Sequence, residues 1–498
     1  MPARNGHQYI ERLRERPPSL YMRGERVKDP TTHPGLSGGV RTLARLYDLQ
    51  REPVAGEKAA GPGPALNGAG GMTYTSPTSG EPVGLSFITP QSAADLEARR
   101  NMMRRWAQVS CGMMGRTPDF LNVSLMAMAA AGDYFAQNRP EFKDNINNYY
   151  EHVRENDLVL THTLLNLQRS RTPGATPLED RTDIALRVEK ETDAGIIVHG
   201  ARVLATLAPL SEEIALYPTT SHQLPGQAPE PYAFAFAIAN NTPGLRYQCR
   251  ESFDFGRSHF DHPLGSRFEE MDTVVFFDDV LVPWERVFLL GDVELCNNYG
   301  TGTMSNSHTG YQVLNRCVVK AEFMLGLADL MVETLGSGSI PHIQEQVAEI
   351  ITYRDMLRAC LRAAEADAKP NQYGMMCPAM GPIQAGRTLF GRTLYPRMIE
   401  IAQLLGTSSL MALPAEADFS AGIAPEVNHY LATDSSSAWD RSRLFHLAWD
   451  ASCSSFSGRQ VLYERMFGGN PVRNAMMLFN NYDKEPFRQK VQAFLDQE

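Results

Sequence analysis

Two apolar stretches of the chain each contain one polar side chain that suits an acidic hydroxyl group. Residues 111–122, CGMMGRTPDFLN, contain Arg116, and residues 160–171, LTHTLLNLQRSR, contain His162. A guanidinium keeps its proton throughout the ordinary pH range, whereas an imidazole gains or loses a proton near neutral pH. Together the two groups can hold, deprotonate and stabilise an acidic hydroxyl. The apolar residues around both groups have helix-like spacing, which predicts that each group lies in helical sequence.

Other polar side chains in apolar segments are weaker candidates for a binding site. A guanidinium and backbone amides that follow two glycines can approach a pyrophosphate, and Arg473 follows Gly468 and Gly469 in this way. Pattern alone does not separate such residues from ordinary surface or core positions. The polar candidates are Gln168, Arg171, Thr206, Thr219, Thr220 and Arg473. Asn470, Pro471 and Val472 belong to the same segment as Arg473 and contribute their backbone.

Several familiar kinds of site are not expected. No GxGxxG follows a predicted strand and no P-loop is present, so we do not expect a Rossmann dinucleotide site. The seven cysteines are scattered without a CxxC pair, which predicts reduced thiols rather than disulfides or structural zinc. His259, Asp261 and His262 form a tight cluster in a loop-like segment without an HExxH helix. We therefore expect a hydrogen-bonded loop cluster there and no metal site.

The composition restricts the class of partner. The formal net charge is -10, the isoelectric point is near 5.7 and basic residues do not cluster, which argues against nucleic acid or an anionic membrane as partner. No apolar run approaches the roughly 18 residues that a membrane span requires. The first residues are charged and contain no signal-peptide core, so we expect a cytoplasmic protein.

The apolar periodicity predicts regions of different secondary structure. Residues 41–50 and residues 89–156 have helical spacing, with Ser92 as an N-cap candidate, while residues 52–81 are a Gly/Pro-rich loop. These features predict an all-α first domain over residues 1–158. Short alternating segments then predict an antiparallel barrel or sandwich over residues 159–291. The predicted strands are residues 185–189, 196–198, 214–217, 232–238, 245–249 and 273–277.

Long helical segments dominate the last region, residues 292–498. Four segments carry apolar residues at helical spacing and are separated by glycine, proline or polar residues, which predicts an antiparallel four-helix bundle. The fold class is therefore α+β and mostly α. The four predicted helices are residues 310–336, 340–368, 382–406 and 437–467.

Motifs along nearly the whole chain resemble the oxygenase component of the two-component, FADH2-dependent 4-hydroxyphenylacetate 3-monooxygenase family. The resemblance implies the acyl-CoA dehydrogenase-like fold of that family, with an N-terminal helical domain, a central β-barrel and a C-terminal four-helix bundle, usually assembled as a homotetramer. The same order of domains follows from the periodicity. The matching segments are GERVKDPTTHP (24–34), RTLARLYDLQ (41–50), GMMGRTPDFLN (112–122), HPLGSRFEEMD (262–272), FDDVLVPWERVFLLGDVELCNN (277–298) and LYERMFGGNPVR (462–473).

The resemblance also implies a reaction. In this family a separate flavin reductase supplies FADH2, which reacts with O2 on the oxygenase to give a C4a-hydroperoxyflavin. One oxygen atom is then transferred to the ring carbon ortho to a phenol hydroxyl. The expected cofactor is therefore FAD, bound as FADH2, with O2 as co-substrate and a small phenol such as 4-hydroxyphenylacetate as substrate. Because this transfer is faster on a phenolate, a base and a fixed cation beside the hydroxyl favour it.

Residue by residue, the resemblance implies a division of roles. Arg116 and His162 match the family's arginine and histidine at the phenol oxygen and are the expected catalytic residues. Phe120, Thr219 and Thr220 complete the expected substrate site, with the threonines at the substrate's acid group. Residues 221–231, which follow the threonines, are the expected lid. The expected flavin contacts are Gln168, Arg169, Ser170, Arg171, Thr206, Asn470, Pro471, Val472 and Arg473.

Two departures from the family pattern bear on the substrate. Phe120 stands where the 4-hydroxyphenylacetate enzymes have tyrosine, which removes one hydroxyl, and Thr219 replaces a serine. Because a lost hydrogen bond changes substrate preference strongly, a larger phenol or a hydroxypyridine from a biosynthetic pathway is an alternative substrate. An acyl-CoA dehydrogenase and an iron–sulfur hydroxyacyl-CoA dehydratase of the same fold are alternative functions. The first requires a carboxylate base at a tightly bound FAD, and the second requires three cysteines and a histidine around a cluster.

Overall fold

The first part of the chain is rich in helices that pack on one continuous core. The computed structural model describes residues 3–52, 71–167, 184–218, 230–254, 256–469 and 471–497. The N-cap predicted at Ser92 is confirmed, because its hydroxyl accepts a hydrogen bond from the backbone of Asp95 and the Asp95 carboxylate accepts one from the backbone of Ser92. The helices are α1 (Gly6–Glu15), α2 (Ser37–Leu49), α3 (Ala93–Val109), α4 (Pro118–Ala130), α5 (Gly132–Ala136) and α6 (Glu141–Asn156).

The prediction that this part is all helical is wrong. It contains two short hairpins, β1 (Leu20–Met22) with β2 (Glu25–Val27) and β3 (Thr73–Thr75) with β4 (Pro82–Gly84). The second hairpin also corrects the prediction of a plain loop over residues 52–81, although residues 53–70 lie outside the described part. Strands of three residues are too short for a two-residue period to stand out in the sequence.

The middle of the chain forms strands, and the predicted strand positions agree with those observed. The carboxyl end of α6 leads directly into the first of them at Leu160. One short helix, α7 (Gly265–Phe268), interrupts the series. The strands are β5 (Leu160–Thr163), β6 (Leu165–Asn166), β7 (Arg187–Thr192), β8 (Gly195–Val203), β9 (Glu213–Leu216), β10 (Phe234–Ala239), β11 (Leu245–Cys249), β12 (Thr273–Pro283) and β13 (Val287–Leu290).

These strands form two sheets, and within the described ranges neither sheet closes into the barrel that was predicted. The larger sheet has the order β2-β1-β11-β12-β8-β6, with β7 also paired to β8. The smaller sheet has the order β13-β10-β9-β5. Pairing in the two sheets is mixed, because β1 runs parallel to β11 and β5 runs parallel to β9, whereas the other contacts within them are antiparallel. The first hairpin thus supplies one edge of the larger sheet.

The last part of the chain is helical, and the four helices predicted there are present with two modifications. The third predicted helix contains one π-helical turn, Phe390–Leu394. The fourth is two helices, because Ser454 caps a new helix after the first one ends. The elements are α8 (Val293–Gly302), α9 (Ser305–Thr334), α10 (Pro341–Ala366), β14 (Lys369–Pro370), β15 (Met376–Cys377), α11 (Met380–Leu389), α12 (Tyr395–Gly406), α13 (Ser408–Met411), α14 (Ala424–Tyr430), α15 (Ala438–Ser452), α16 (Ser455–Met466), α17 (Pro471–Asn481) and α18 (Glu485–Leu495).

Most of the buried apolar residues belong to one cluster that joins the helices and both sheets. Helix α9 lies at its centre and contacts helices α3, α4, α10, α11 and α12. Among the residues that the structure describes, no helix combines the length and the apolar character needed to cross a membrane.

Candidate active site

Arg116 lies in a turn between α3 and α4, which corrects the prediction that it lies in a helix. The turn begins at Cys111 and Gly112, whose φ angles of 53° and 71° are left-handed and end the preceding helix. A side chain at Gly112 would place its Cβ 2.8 Å from the backbone nitrogen of Lys320 on α9, so the turn packs tightly against the central helix. This packing sets the position of the segment that carries Arg116.

The Arg116 guanidinium is held by aromatic groups. Its central carbon lies 4.1 Å from the centroid of the Phe120 ring, one helical turn along the chain on α4. Its Nη1 donates a hydrogen bond of 2.6 Å to the hydroxyl of Tyr463 on α16. The backbone N–H of Arg116 donates to a carboxylate oxygen of Glu270 at 2.6 Å. Backbone and side chain are therefore fixed separately.

His162 lies on strand β5, and the prediction of helical sequence around it is wrong. Its ring stacks on Phe120 with centroids 5.7 Å apart and an angle of 23° between the planes. Phe120 contacts both the imidazole and the guanidinium, so the two predicted catalytic side chains converge on one aromatic ring. Nδ1 of His162 is fully buried and has no hydrogen-bond partner. Burial, reinforced by the positive charge of Arg116, holds the pKa of His162 well below its usual 6.5, so the ring is neutral at neutral pH.

Two glutamates near this turn, Glu464 and Glu270, are each paired with another cation. Glu464 accepts hydrogen bonds from Arg316 and Lys320, at 2.8 Å and 2.6 Å, and all three side chains are fully buried. Arg316 also donates to the backbone oxygen of Gly112 at 2.9 Å, which anchors the turn. Within the described ranges the guanidinium of Arg116 forms no ion pair with a carboxylate, so its charge is available to an anionic ligand.

A charged network connects this turn to Thr206, which was predicted to contact flavin. The hydroxyl of Thr206 donates to Asp272 at 2.7 Å. Arg459 on α16 binds Asp272 and Glu270, each at 2.8 Å, and Glu270 accepts from the backbone of Arg116. These ion pairs hold the pKa of Asp272 well below its usual range despite its burial. The network fixes the turn that follows β8, helix α16 and the arginine turn relative to one another.

Several predicted residues lie outside the described part of the chain. They are Gln168, Arg169, Ser170, Arg171, Thr219, Thr220, Asn470 and nearly all of the lid predicted at residues 221–231. Pro471 and Val472 begin helix α17, and Val472 is exposed. The backbone of Arg473 continues that helix.

Sequence patterns missed Arg202, a buried cation on β8. Only 4% of this residue is exposed, and its Nε and Nη1 have no hydrogen-bond partner. Its guanidinium lies 5.3 Å from the Phe234 ring, and burial lowers its pKa to about 10. The buried Oδ1 of Asn166, which faces Arg202 across the strands, also has no partner. The available signal was an arginine inside the apolar strand GIIVHGARV, which a strand pattern alone assigns to an exposed face.

The cluster at His259 and His262 is tied into its loop. His259 Nδ1 lies 2.6 Å from the Ser266 hydroxyl, and His262 Nε2 lies 3.2 Å from Arg257. The seven cysteines are free thiols. In the portion of the chain that the structure covers, no group of three or more histidine, cysteine, aspartate or glutamate side chains has the arrangement of a metal site.

Two family models cover nearly the whole chain. The model described as 4-hydroxyphenylacetate 3-hydroxylase N terminal matches residues 5–289, and the model described as its C terminal matches residues 296–496. Between them they include Arg116, Phe120, His162 and Tyr463.

Individual relatives agree with the family models. The oxygenase component of 4-hydroxyphenylacetate 3-monooxygenase from Thermus thermophilus is 45% identical over 99% of this chain and 97% of its own length. The oxygenase component of 4-nitrophenol 2-monooxygenase from a Rhodococcus species is 33% identical over 93% of this chain and 86% of its own. A crystal structure of a 4-hydroxyphenylacetate 3-monooxygenase oxygenase component, complexed with FAD and 4-hydroxyphenylacetate, superposes with a TM-score of 0.92, 45% identity and coverage of 99% of this chain and 98% of that chain. The chain therefore belongs to the 4-hydroxyphenylacetate 3-hydroxylase family.

Proposed function

We propose that the protein is the oxygenase component of a two-component monooxygenase, which uses FADH2 and O2 to hydroxylate a phenol ortho to its hydroxyl group. The observation that carries this proposal is the convergence of Arg116 and His162 on Phe120. A cation without a carboxylate partner and a neutral imidazole then lie on one aromatic surface. Family membership and the relatives that act on phenols support the same reaction class.

The side chains bind the phenol and move its proton. A phenol hydroxyl beside His162 donates to the neutral ring, whose Nδ1 has no other partner. As that proton leaves, Arg116 stabilises the negative charge that develops on the phenol oxygen. An arginine within about 4–6 Å lowers the pKa of a phenol and so raises the fraction of phenolate. Phe120 and the buried wall around His162 exclude water from this proton transfer.

The described residues fit a polar cofactor beside this site. Arg202 Nε and Nη1 and Asn166 Oδ1 are buried polar atoms without partners, and such atoms are costly unless a ligand satisfies them. The strand that carries Asn166 leads towards Gln168. When bound, reduced FAD together with O2 supplies the electrophilic oxygen atom. We propose that Arg202 and Thr206 hold the flavin with Gln168, Arg169, Ser170, Arg171, Asn470, Pro471, Val472 and Arg473.

The substrate is proposed to resemble 4-hydroxyphenylacetate, with Thr219 and Thr220 at its acid group. Phe120 offers a flat apolar surface but no hydroxyl, which tolerates a wider range of phenols than a tyrosine does. A larger phenol or a hydroxypyridine therefore remains a second substrate class for the same chemistry. The relative that acts on 4-nitrophenol is an example of a family member whose phenol lacks an acidic side chain.

A coupled assay tests the proposed function. The protein is mixed with FAD, a separate NADH-dependent flavin reductase and a panel of phenols, and catechol formation is compared with peroxide release. We expect at least one phenol to give an ortho-hydroxylated product with most of the reductant coupled to it. Peroxide alone with every phenol, under conditions where FADH2 is supplied, would contradict the proposal. The control variant in the same assay is Arg116→Met, which should shift the products towards peroxide.

We also propose the organisation of the whole molecule. The three parts, residues 1–158, 159–291 and 292–498, are taken as an N-terminal helical domain, a central β domain and a C-terminal helical bundle of the acyl-CoA dehydrogenase type. Helices α17 and α18 expose Phe479, Phe487, Val491 and Phe494 by 54–72%, a surface that supports assembly into a homo-oligomer, proposed to be a tetramer. A separate flavin reductase and a cytoplasmic location complete the proposal.

A further inference from the structure

Tyr463 is the side chain that holds the Arg116 guanidinium by a hydrogen bond. Tyr463 lies on α16, and its hydroxyl accepts the 2.6 Å hydrogen bond from Nη1 of Arg116. Its ring stacks on Phe467 with centroids 5.1 Å apart and an angle of 10° between the planes. Stacking restricts rotation of the tyrosine, so its hydroxyl has a defined position in front of the arginine turn.

The residue before Arg116 is a glycine for a reason that involves this tyrosine. A Cβ built on Gly115 would lie 2.1 Å from the Tyr463 hydroxyl oxygen, much closer than any real contact. The ring atoms of Tyr463 would also be within 2.5 Å of that Cβ. The tyrosine therefore occupies the space that any other residue at position 115 requires. Turn and tyrosine are matched in shape.

The hydrogen bond orients Arg116 but does not neutralise it. Burial raises the pKa of Tyr463 to about 12, so this hydroxyl is uncharged at neutral pH. Two glutamates on the packed elements are engaged elsewhere, Glu464 with Arg316 and Lys320, and Glu270 with Arg459. The buried Asp119 of α4 accepts a hydrogen bond from the side chain of Gln312. A carboxylate at the position of the Tyr463 hydroxyl would form an ion pair with Arg116 and cancel its field at the substrate.

We propose that Tyr463 is a positioning residue that directs the Arg116 guanidinium over Phe120 while leaving its full positive charge to a substrate phenolate. The inference rests on the proposed function, because it assigns the phenol oxygen as the group that Arg116 meets. A positioning role of this kind predicts that Tyr463 affects binding of one ionisation state of a phenol more than the other. Loss of the Tyr463 hydroxyl weakens binding of the phenolate form of a ligand but has little effect on the neutral phenol form.

The test uses flavin-free protein and 4-nitrophenol, whose phenolate absorbs visible light. Affinity is measured by absorbance and by equilibrium dialysis at a pH below and a pH above the pKa of the free probe. For the wild-type protein we expect tighter binding of the phenolate and a lowered pKa of the bound probe. Tyr463→Phe retains the stacked ring but is expected to weaken phenolate binding about tenfold, which raises the pKa of the bound probe by about one unit.

Two further variants control the interpretation. Tyr395→Phe removes another buried hydroxyl of the bundle, one that has no hydrogen-bond partner, so the pKa of the bound probe should not change. Gly115→Ala displaces Tyr463 and should reproduce the effect of Tyr463→Phe. Circular dichroism and thermal unfolding establish that each variant is folded.

The outcomes separate the inference from the function on which it rests. If wild-type protein binds phenolate preferentially and Tyr463→Phe binds it equally well, the positioning role is refuted and the proposed function stands. Equal weakening of both forms of the probe refutes it too, because that pattern indicates a loss of shape rather than of charge. If the wild-type protein binds neither 4-nitrophenol nor any phenol of the panel, the proposed function itself fails.

Discussion

Removal of the Glu464 carboxylate should destabilise the protein strongly. The flanking cations Arg316 and Lys320 hold the pKa of Glu464 at about 2, against a usual 4.5. Because its folded pKa is depressed, the carboxylate contributes stability in full above pH 4.5 and loses it as the pH falls towards 2. At about 1.4 kcal/mol per pKa unit, the difference corresponds to about 3 kcal/mol. Glu464→Gln also leaves two buried cations without an anion, for which a cost of about 3–5 kcal/mol is typical.

Urea unfolding at neutral pH, followed by tryptophan fluorescence, measures this loss. We expect the free energy of unfolding to fall by at least about 3 kcal/mol in Glu464→Gln. Substrate binding should weaken as well, because Arg316 holds the oxygen of Gly112 and thereby the turn that carries Arg116. The matched control is Lys320→Met, which removes one cation but retains the pair between Arg316 and Glu464.

Lys320 is a suitable control because one carboxylate does not compensate two buried cations. Burial lowers the pKa of Lys320 to about 8 even though Glu464 lies 2.6 Å away, so its charged form is disfavoured. Lys320→Met should therefore change the free energy of unfolding by less than about 1 kcal/mol or increase it. If the free energy of unfolding of Glu464→Gln lies within about 1 kcal/mol of the wild-type value, the reasoning from buried charge is refuted.

Three further predictions concern single side chains. Because the folded protein keeps His162 neutral, the contribution of this neutral imidazole to stability is complete above pH 6.5 and is lost as the pH falls below that value. His162→Gln should therefore flatten the fall in melting temperature on acidification. An unchanged pH profile would count against this reasoning. The same variant should lower the yield of hydroxylated product per FADH2 consumed. Arg202→Met removes a buried unpaired cation and should raise the melting temperature of the flavin-free protein. The same variant should bind FAD more weakly, as measured by flavin fluorescence. A lower melting temperature would contradict this prediction. Phe120→Tyr adds a hydroxyl beside Arg116. The ratio of kcat/KM for small phenolic acids to kcat/KM for larger phenols should rise by about tenfold. An unchanged ratio would show that position 120 does not determine specificity.

Local sequence signals predicted much of the secondary structure. Helices α9 and α10 follow the apolar period of 3.6 residues, and the Ser92 cap depends only on residues three apart. The π turn at Phe390–Leu394 was not predicted, because its cause is tertiary. A Cβ on Gly391 within that turn would lie 2.1 Å from the backbone oxygen of Glu464, so the turn accommodates a close approach of α16.

The arrangement of the strands depends on contacts that no local pattern contains. Alternation predicted where β8, β10 and β12 lie and left a barrel and a sandwich as alternatives, but it did not predict which strands pair. Sheet closure is decided by pairing between strands far apart in the chain, and β1 pairs with β11 across most of the first half of the sequence.

Arg116 and His162 were identified because a charged and a titratable side chain are unusual in apolar sequence. Tyr463 was not, since a tyrosine in an amphipathic helix is ordinary and its partner is 347 residues away. Family resemblance supplied the expected roles of these two side chains, whereas the hydrogen bond from Arg116 to the Tyr463 hydroxyl is visible only in the folded chain.

The parallel pairing of β1 with β11 has a consequence for synthesis on the ribosome. Leu20 pairs with Tyr247, so the first hairpin leaves the ribosome long before the strand that completes its edge of the sheet. At about 5–20 residues per second, that partner follows roughly 10–45 s later. During this interval the hairpin lacks its partner strand and α2 lacks its contact with α7, and chaperone binding would protect the nascent chain. A nascent chain halted just before residue 245 should therefore be more sensitive to protease at its amino-terminal hairpin than one extended well beyond residue 283.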